Sequence, residues 1–195
     1  MEKMPDFWRD RMVQHINMIK SLSENESILR VLNNISEVII SSYISGGKLL
    51  ICGNGGSAAD SQHIATELVS RFLKERKALD AEALTVNTSS ITAIGNDYCF
   101  EKVFSRQVEA KGKAGDILLG ISTSGNAKNI IEAIRVAKSM DIITIGLTGN
   151  NKDSLICKLS DYCICVPSDL TPRIQEAHIL IGHMLCEFIE NKLFN

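Results

Sequence analysis

His63 and Glu67 stand four residues apart in a stretch, 57–72, whose apolar spacing predicts a helix. Residues at that separation share one helical face, so an imidazole and a carboxylate lie side by side. Such a pair can move a proton or hold a divalent cation through nitrogen and oxygen. It can equally be a solvated surface acid next to a polar histidine. A second set, Gln175, His178 and His183, lies on the last predicted helix, 171–192.

Two loops could bind an anion. Cys52-Gly53-Asn54-Gly55-Gly56-Ser57-Ala58-Ala59 joins an apolar run to the helix carrying His63. Glycines admit close backbone approach, and the following helix offers its positive end. The run loosely fits the dinucleotide pattern G-x-G-x-x-G/A, but no acid follows the next strand, where Thr88-Ser89-Ser90 stands instead. The second loop, Gly120-Ile121-Ser122-Thr123-Ser124-Gly125-Asn126, presents three adjacent hydroxyls at a helix start. Hydroxyl and amide donors there can wrap a phosphate. With no Walker-type lysine, triphosphate chemistry is not indicated. A capped helix start would explain one serine, but three in a row exceed that need.

The elements that must position these groups alternate. Helices are expected over 7–22 and 26–45, the second ended by Gly46-Gly47. Strands follow at 48–52, 83–87, 116–121, 142–147 and 162–166. Between them lie helices at 57–72, 89–94, 100–110, 127–139 and 153–159. The last helix is expected to be capped by Thr171, with Pro172 in its first turn. Apolar strands separated by helices make an α/β fold, a mostly parallel five-stranded sheet with helices on both faces. Ligands gather at the carboxyl ends of such strands, where both loops lie.

The 195 residues form one domain, 1–195, with 45% hydrophobic and 23% charged residues. A net charge of -2 excludes a nucleic-acid footprint or an anionic-membrane binder. No run matches a transmembrane span, and the opening residues do not form a secretory signal. The six cysteines, 52, 99, 157, 163, 165 and 186, form no C-x-x-C pair and are expected to be reduced core thiols in a cytoplasmic protein. Cys163 and Cys165 face the same way on a strand, but two thiols alone do not make a metal site.

The runs at 53–57 and 120–126 resemble the SIS (sugar isomerase) domain. Ile94-Gly95-Asn96-Asp97, Phe104-Ser105-Arg106-Gln107-Val108-Glu109-Ala110 and Arg173-Ile174-Gln175-Glu176 resemble the phosphoheptose isomerase family, from about residue 40 to the end. The resemblance implies a three-layer, flavodoxin-like α/β/α sandwich and conversion of sedoheptulose 7-phosphate to D-glycero-D-manno-heptose 7-phosphate, supplying lipopolysaccharide or capsule. It also implies a homotetramer using its N-terminal helices, and one Zn2+ per subunit. His63, Glu67, Gln175 and His183 fall at metal-ligand positions, with Glu67 and His183 as the proton-transfer pair. Asn54, Gly55, Gly56, Arg71, Asn96, Asp97, Ser122, Thr123, Ser124 and Gln175 fall at substrate-binding positions, as does Glu67.

His178 competes with His183 as the partner of Gln175. Ala127 stands where family members often have a phosphate-holding serine, and Pro172 where some have an aspartate. A non-catalytic SIS regulator and an isomerase of a shorter phosphosugar are the alternatives. Because Gln175 and His183 are separated by ~12 Å along a helix, the last helix is expected to supply His183 to a neighbour's pocket.

Overall fold

The computed structural model describes residues 4–194; the first three residues of the opening segment lie outside them. Five strands form a wholly parallel sheet: β1 (Leu49–Gly53), β2 (Ala81–Ala83), β3 (Ile117–Ser122), β4 (Ile143–Thr148) and β5 (Tyr162–Cys165). Their order is β2-β1-β3-β4-β5, the doubly wound order of flavodoxin-like sheets. Both faces are buried, which explains why the strands read as continuous apolar runs. Leu49 and Ile51 join one core with Ile117, Leu119 and Ile121, while Leu50, Cys52 and Leu118 join the other.

Among the described residues, eight helices cover the faces. The first core includes residues of α1 (Met4–Ser23), α2 (Glu26–Ile44), α3 (Gly56–Val69) and α8 (Thr171–Leu193). The second includes residues of α5 (Ser105–Lys111), α6 (Lys128–Ser139) and α7 (Leu155–Leu159), with α4 (Thr88–Asp97) packed against it. Asn25 caps α2 by accepting from the amides of Ser27 and Ile28.

Several expectations from sequence shift. The second strand covers 81–83 instead of 83–87, because the chain turns after Leu84 and Asn87 caps α4 through the Ser90 amide. The helix expected over 100–110 divides into a 3₁₀ turn, Phe100–Lys102, and α5. Leu170, not Thr171, is the N-cap of α8; Thr171 is already helical and no side-chain bond caps this end. The cysteines are not all reduced: Cys157 and Cys163 form a disulfide, leaving Cys52, Cys99, Cys165 and Cys186 free. The cause is tertiary, since α7 packs on β4 and β5 and delivers Cys157 to Cys163. No described helix is long and apolar enough to cross a membrane.

A buried ion pair ends α3 early and fixes the segment after it. The Glu190 carboxylate on α8 accepts from the amides of Phe72, Leu73 and Lys74 and from Arg76 Nε at 2.9 Å. Arg76 also donates to the carbonyls of Leu68 and Glu67. Both side chains are almost fully buried, at 1% and 2% exposure. Burial opposes ionisation of Glu190, but the three amides and the guanidinium outweigh it and hold the carboxyl below its ordinary range. Its stabilisation is therefore present above 4.5 and lost as pH falls through the lower folded value. Glu190→Ala would leave Arg76 buried without its anion, at a cost of ~3–5 kcal/mol. Thermal unfolding of the purified variant should show a midpoint lower by roughly 10 °C; an unchanged midpoint would dismiss the pair as a structural anchor.

Candidate active site

The doubly wound order places β1 beside β3, the point at which successive crossovers leave in opposite directions. Register pairs Cys52 with Gly120 and Gly53 with Ile121. The two loops read from sequence therefore leave adjacent strands at the same edge. They are joined there by a reciprocal amide pair: Asn54 Nδ2 donates to Asn129 Oδ1, and Asn129 Nδ2 donates to Asn54 Oδ1, both at 2.9 Å. Asn129 is buried in the first turn of α6. It was not singled out in the sequence; its only signal was an Asn in the first turn after a hydroxyl-rich loop.

The second loop is tightly turned. Gly125 takes φ +67° and its amide donates to the Ser122 carbonyl at 3.0 Å. A Cβ at Gly125 would lie 2.4 Å from Ser154 Oγ, so both conformation and space select glycine. Ser122 Oγ lies 3.4 Å from Ser124 Oγ, which accepts from the Asn126 amide at 3.2 Å. Thr123 and Ser124 line a cavity of about 270 Å³ with Asn150, Ser168, Thr171 and Ile174. Ala127, the N-cap of α6, makes no side-chain capping bond.

The histidines and the acid meet on α3 and α8. These helices run parallel, since Gly56 packs against Gln175 at one end and Ile64 against Gly182 further along. A Cβ on Gly182 would lie 2.7 Å from Ile64, so the glycine permits the close approach. One residue on, His183 Nε2 lies 3.0 Å from His63 Nε2, and His63 Nε2 lies 3.1 Å from Glu67 Oε1. The three ligand-capable atoms fall within 4.8 Å of one another. His183 therefore joins His63 within one chain, which overturns the expectation that a neighbour's last helix must supply it.

Two imidazole nitrogens and a carboxylate oxygen facing one another are a donor set of the kind that binds a divalent cation. At most one of the facing Nε2 atoms can serve the other as donor when both rings are neutral, so a cation between them would satisfy both lone pairs. Gln175 lies elsewhere: its side chain sits against Gly56, where a Cβ would come within 2.5 Å of Nε2. That position is about two turns from His63, so three of the four expected ligands converge and Gln175 faces the first loop.

Near the cluster, burial pushes the Asp60 carboxyl up while the charge of His63 opposes it. Arg71 is exposed on the segment after α3, and Asn96 donates to Asp97 at 2.9 Å at the exposed end of α4. Among the described residues no hydrogen bond joins Asn96 or Asp97 to either loop.

Burial sets His178 apart from His183. His178 is 0% exposed, and its Nε2 lies 3.2 Å from the Thr148 carbonyl at the end of β4. Its Nδ1 is buried with no partner. Burial pushes its pKa down to about 4, with the Thr148 bond opposing. The ring is therefore neutral at ordinary pH and donates from Nε2.

The SIS domain family model matches residues 14–149. Phosphoheptose isomerase 2 of Campylobacter jejuni subsp. jejuni is 48% identical over 194 residues, covering 100% of this chain and 96% of that protein. The structure of a Neisseria gonorrhoeae phosphoheptose isomerase superposes with a TM-score of 0.90 at 40% identity, covering 97% and 100% of the two chains. One from Francisella tularensis gives 0.92 at 35% identity, covering 97% and 99%.

A histidine whose folded pKa is depressed adds stability above its unfolded value of 6.5, and that stability is lost as pH falls through about 4. His178→Asn removes this titration. Denaturant midpoints measured between pH 6.5 and 4 should fall less steeply in the variant than in the parent. Parallel pH profiles would contradict the buried, neutral His178.

Proposed function

The chain belongs to the phosphoheptose isomerase family of SIS-domain proteins, and from that footing we propose how its site interconverts sedoheptulose 7-phosphate and D-glycero-D-manno-heptose 7-phosphate. The observation that carries the reading is the convergence of His63, Glu67 and His183 beside loops suited to a phosphosugar.

A ketose–aldose isomerisation moves one proton from C1 to C2 and one between the two oxygens, through an enediol. Glu67 takes the C1 proton as its carboxylate and returns it to C2. His183 exchanges protons with the sugar oxygens, giving one to the former ketone oxygen as the C1 hydroxyl loses its own. Positioned acid–base groups of this kind contribute ~10²–10⁴-fold each. The Ser122, Thr123 and Ser124 hydroxyls hold the 7-phosphate. The first loop, with Asn54, Gly55, Gly56 and Gln175, orients the sugar chain, and Arg71, Asn96 and Asp97 reach its hydroxyls.

His63, Glu67 and His183 would hold a divalent cation of the zinc class, while Gln175 stays with the first loop. Such a cation supplies positive charge to the oxygens of the reacting carbons. A non-catalytic phosphosugar-binding regulator would have no use for this convergence, which favours the enzyme.

The deciding experiment incubates the purified protein with ketose phosphates of five, six and seven carbons. Turnover is expected on sedoheptulose 7-phosphate, and a preference for a shorter sugar would reject the heptose reading. Glu67→Gln should lower turnover by at least ~100-fold in a folded protein. A strong chelator should lower parental activity, zinc should restore it, and elemental analysis should find about one metal per chain. Full activity in a metal-free protein would remove the cation from the scheme.

We also propose that α1 forms part of a tetramer interface. Phe7, Trp8, Met12, Val13 and Ile16 expose apolar surface along it, more than an isolated chain ordinarily leaves uncovered. Light scattering should return about four times the chain mass, and Trp8→Glu should reduce it. A monomeric parent would refute the interface.

A further inference from the structure

Away from the catalytic cluster, three cysteines converge at the sheet's β5 edge. Cys163 and Cys165 alternate along β5, so both side chains leave the same face. Cys157 approaches them from α7. The three sulfur atoms lie within 4.8 Å of one another, and Cys165 Sγ is 3.2 Å from Cys157 Sγ. A cation binding three thiolates at ~2.3 Å requires sulfur–sulfur separations of about 3.8–4.0 Å. Small side-chain rotations from the observed arrangement reach that range once the Cys157–Cys163 bond is open.

The surroundings suit thiolates. Thr148 Oγ1 donates to Cys165 Sγ at 3.6 Å and lies 3.4 Å from Cys157 Sγ. An adjoining cavity of about 340 Å³ is lined by all three cysteines with Asn25, Asn150 and Lys152. A lysine nearby favours the anionic sulfur, and the cavity leaves room for a water or small anion as fourth ligand.

We propose that reduction of the Cys157–Cys163 disulfide creates a second metal site, in which Cys157, Cys163 and Cys165 bind a thiophilic d¹⁰ cation of the zinc class. A dithiol reductant supplies two electrons and two protons, so the disulfide becomes two thiols while the reductant closes its own disulfide. The divalent cation then replaces three S–H protons, which leave to solvent. The site and the disulfide are alternative cross-links of α7 to β5. Both act next to the second loop, because the Ile156 amide donates to the Gly125 carbonyl at 3.0 Å and the Leu155 amide donates to Asn126 Oδ1 at 3.1 Å.

The test uses Cd2+ as the probe, because thiolate-to-cadmium charge transfer in the ultraviolet reports sulfur ligation and is silent at a histidine–carboxylate site. The full chain is titrated before and after reduction by a phosphine, with free thiols counted at each stage. The oxidised protein should show no such band. The reduced protein should show one that saturates at about one equivalent per chain above any silent binding. In reduced Cys165→Ser, which keeps the Cys157–Cys163 pair for folding before reduction, the band should fall by about a third and half-saturation should need at least ~10-fold more cadmium. Cys99→Ser should match the parent. No band in protein with all six thiols free overturns the proposal, as does a band of undiminished strength and affinity in Cys165→Ser.

Discussion

The pairing of β1 with β3 is the constraint on which the rest of the molecule depends. These strands are neighbours in space but are separated in sequence by α3, β2, α4 and α5. Their parallel register, Leu49 to Ile117 through Gly53 to Ile121, fixes where both loops begin. Because both strands are buried on each face, slipping by one residue would turn core side chains to the wrong layer. The register is thus held by hydrophobic burial, and the loops inherit their relative position from it. The Asn54–Asn129 amide pair then removes the remaining freedom between them.

Two carboxylates, one buried and one exposed, secure the other end of the sheet. Asp116, 2% exposed just before β3, accepts from the Lys48 and Lys113 amides and pairs with Lys48 Nζ at 2.6 Å. Asp161 accepts from the Thr144 amide and hydroxyl, tying β4 to the approach of β5. Both acids sit where strand entry leaves amides unpaired, and each satisfies them with a carboxylate. The amino ends of the strands are thereby fixed by side chains, while the carboxyl ends keep donors available for a ligand.

The parallel contact of α3 with α8 builds the His63–Glu67–His183 cluster. Gly182 brings the two backbones close enough for His183 to reach His63. Glu190 extends the same contact by gathering the amides that follow α3. One helix pair therefore combines three tasks: covering the sheet, aligning His63, Glu67 and His183, and directing the segment that carries Arg71.

The sequence by itself determined what short-range pattern encodes. The five strands follow from continuous apolar runs, the two anion-friendly loops from their glycines and hydroxyls, and the shared face of His63 and Glu67 from a four-residue spacing, and each holds wherever the segment is placed. The second strand was placed too late because Leu84 and Val86 prolong the apolar run, whereas the chain's turn there depends on Asn87 and the neighbouring layer. Tertiary structure alone decided the rest. His183 meets His63 across 120 residues, and Asn54 meets Asn129 across 75. No local pattern reports such distances. The separation of Gln175 from His183 suggested a second chain, but parallel packing lets each residue meet a different turn of α3 in the same chain. Cys157 reached Cys163 and Cys165 for the same reason: a helix and a strand acquire a common face only when burial of the apolar layers presses one against the other.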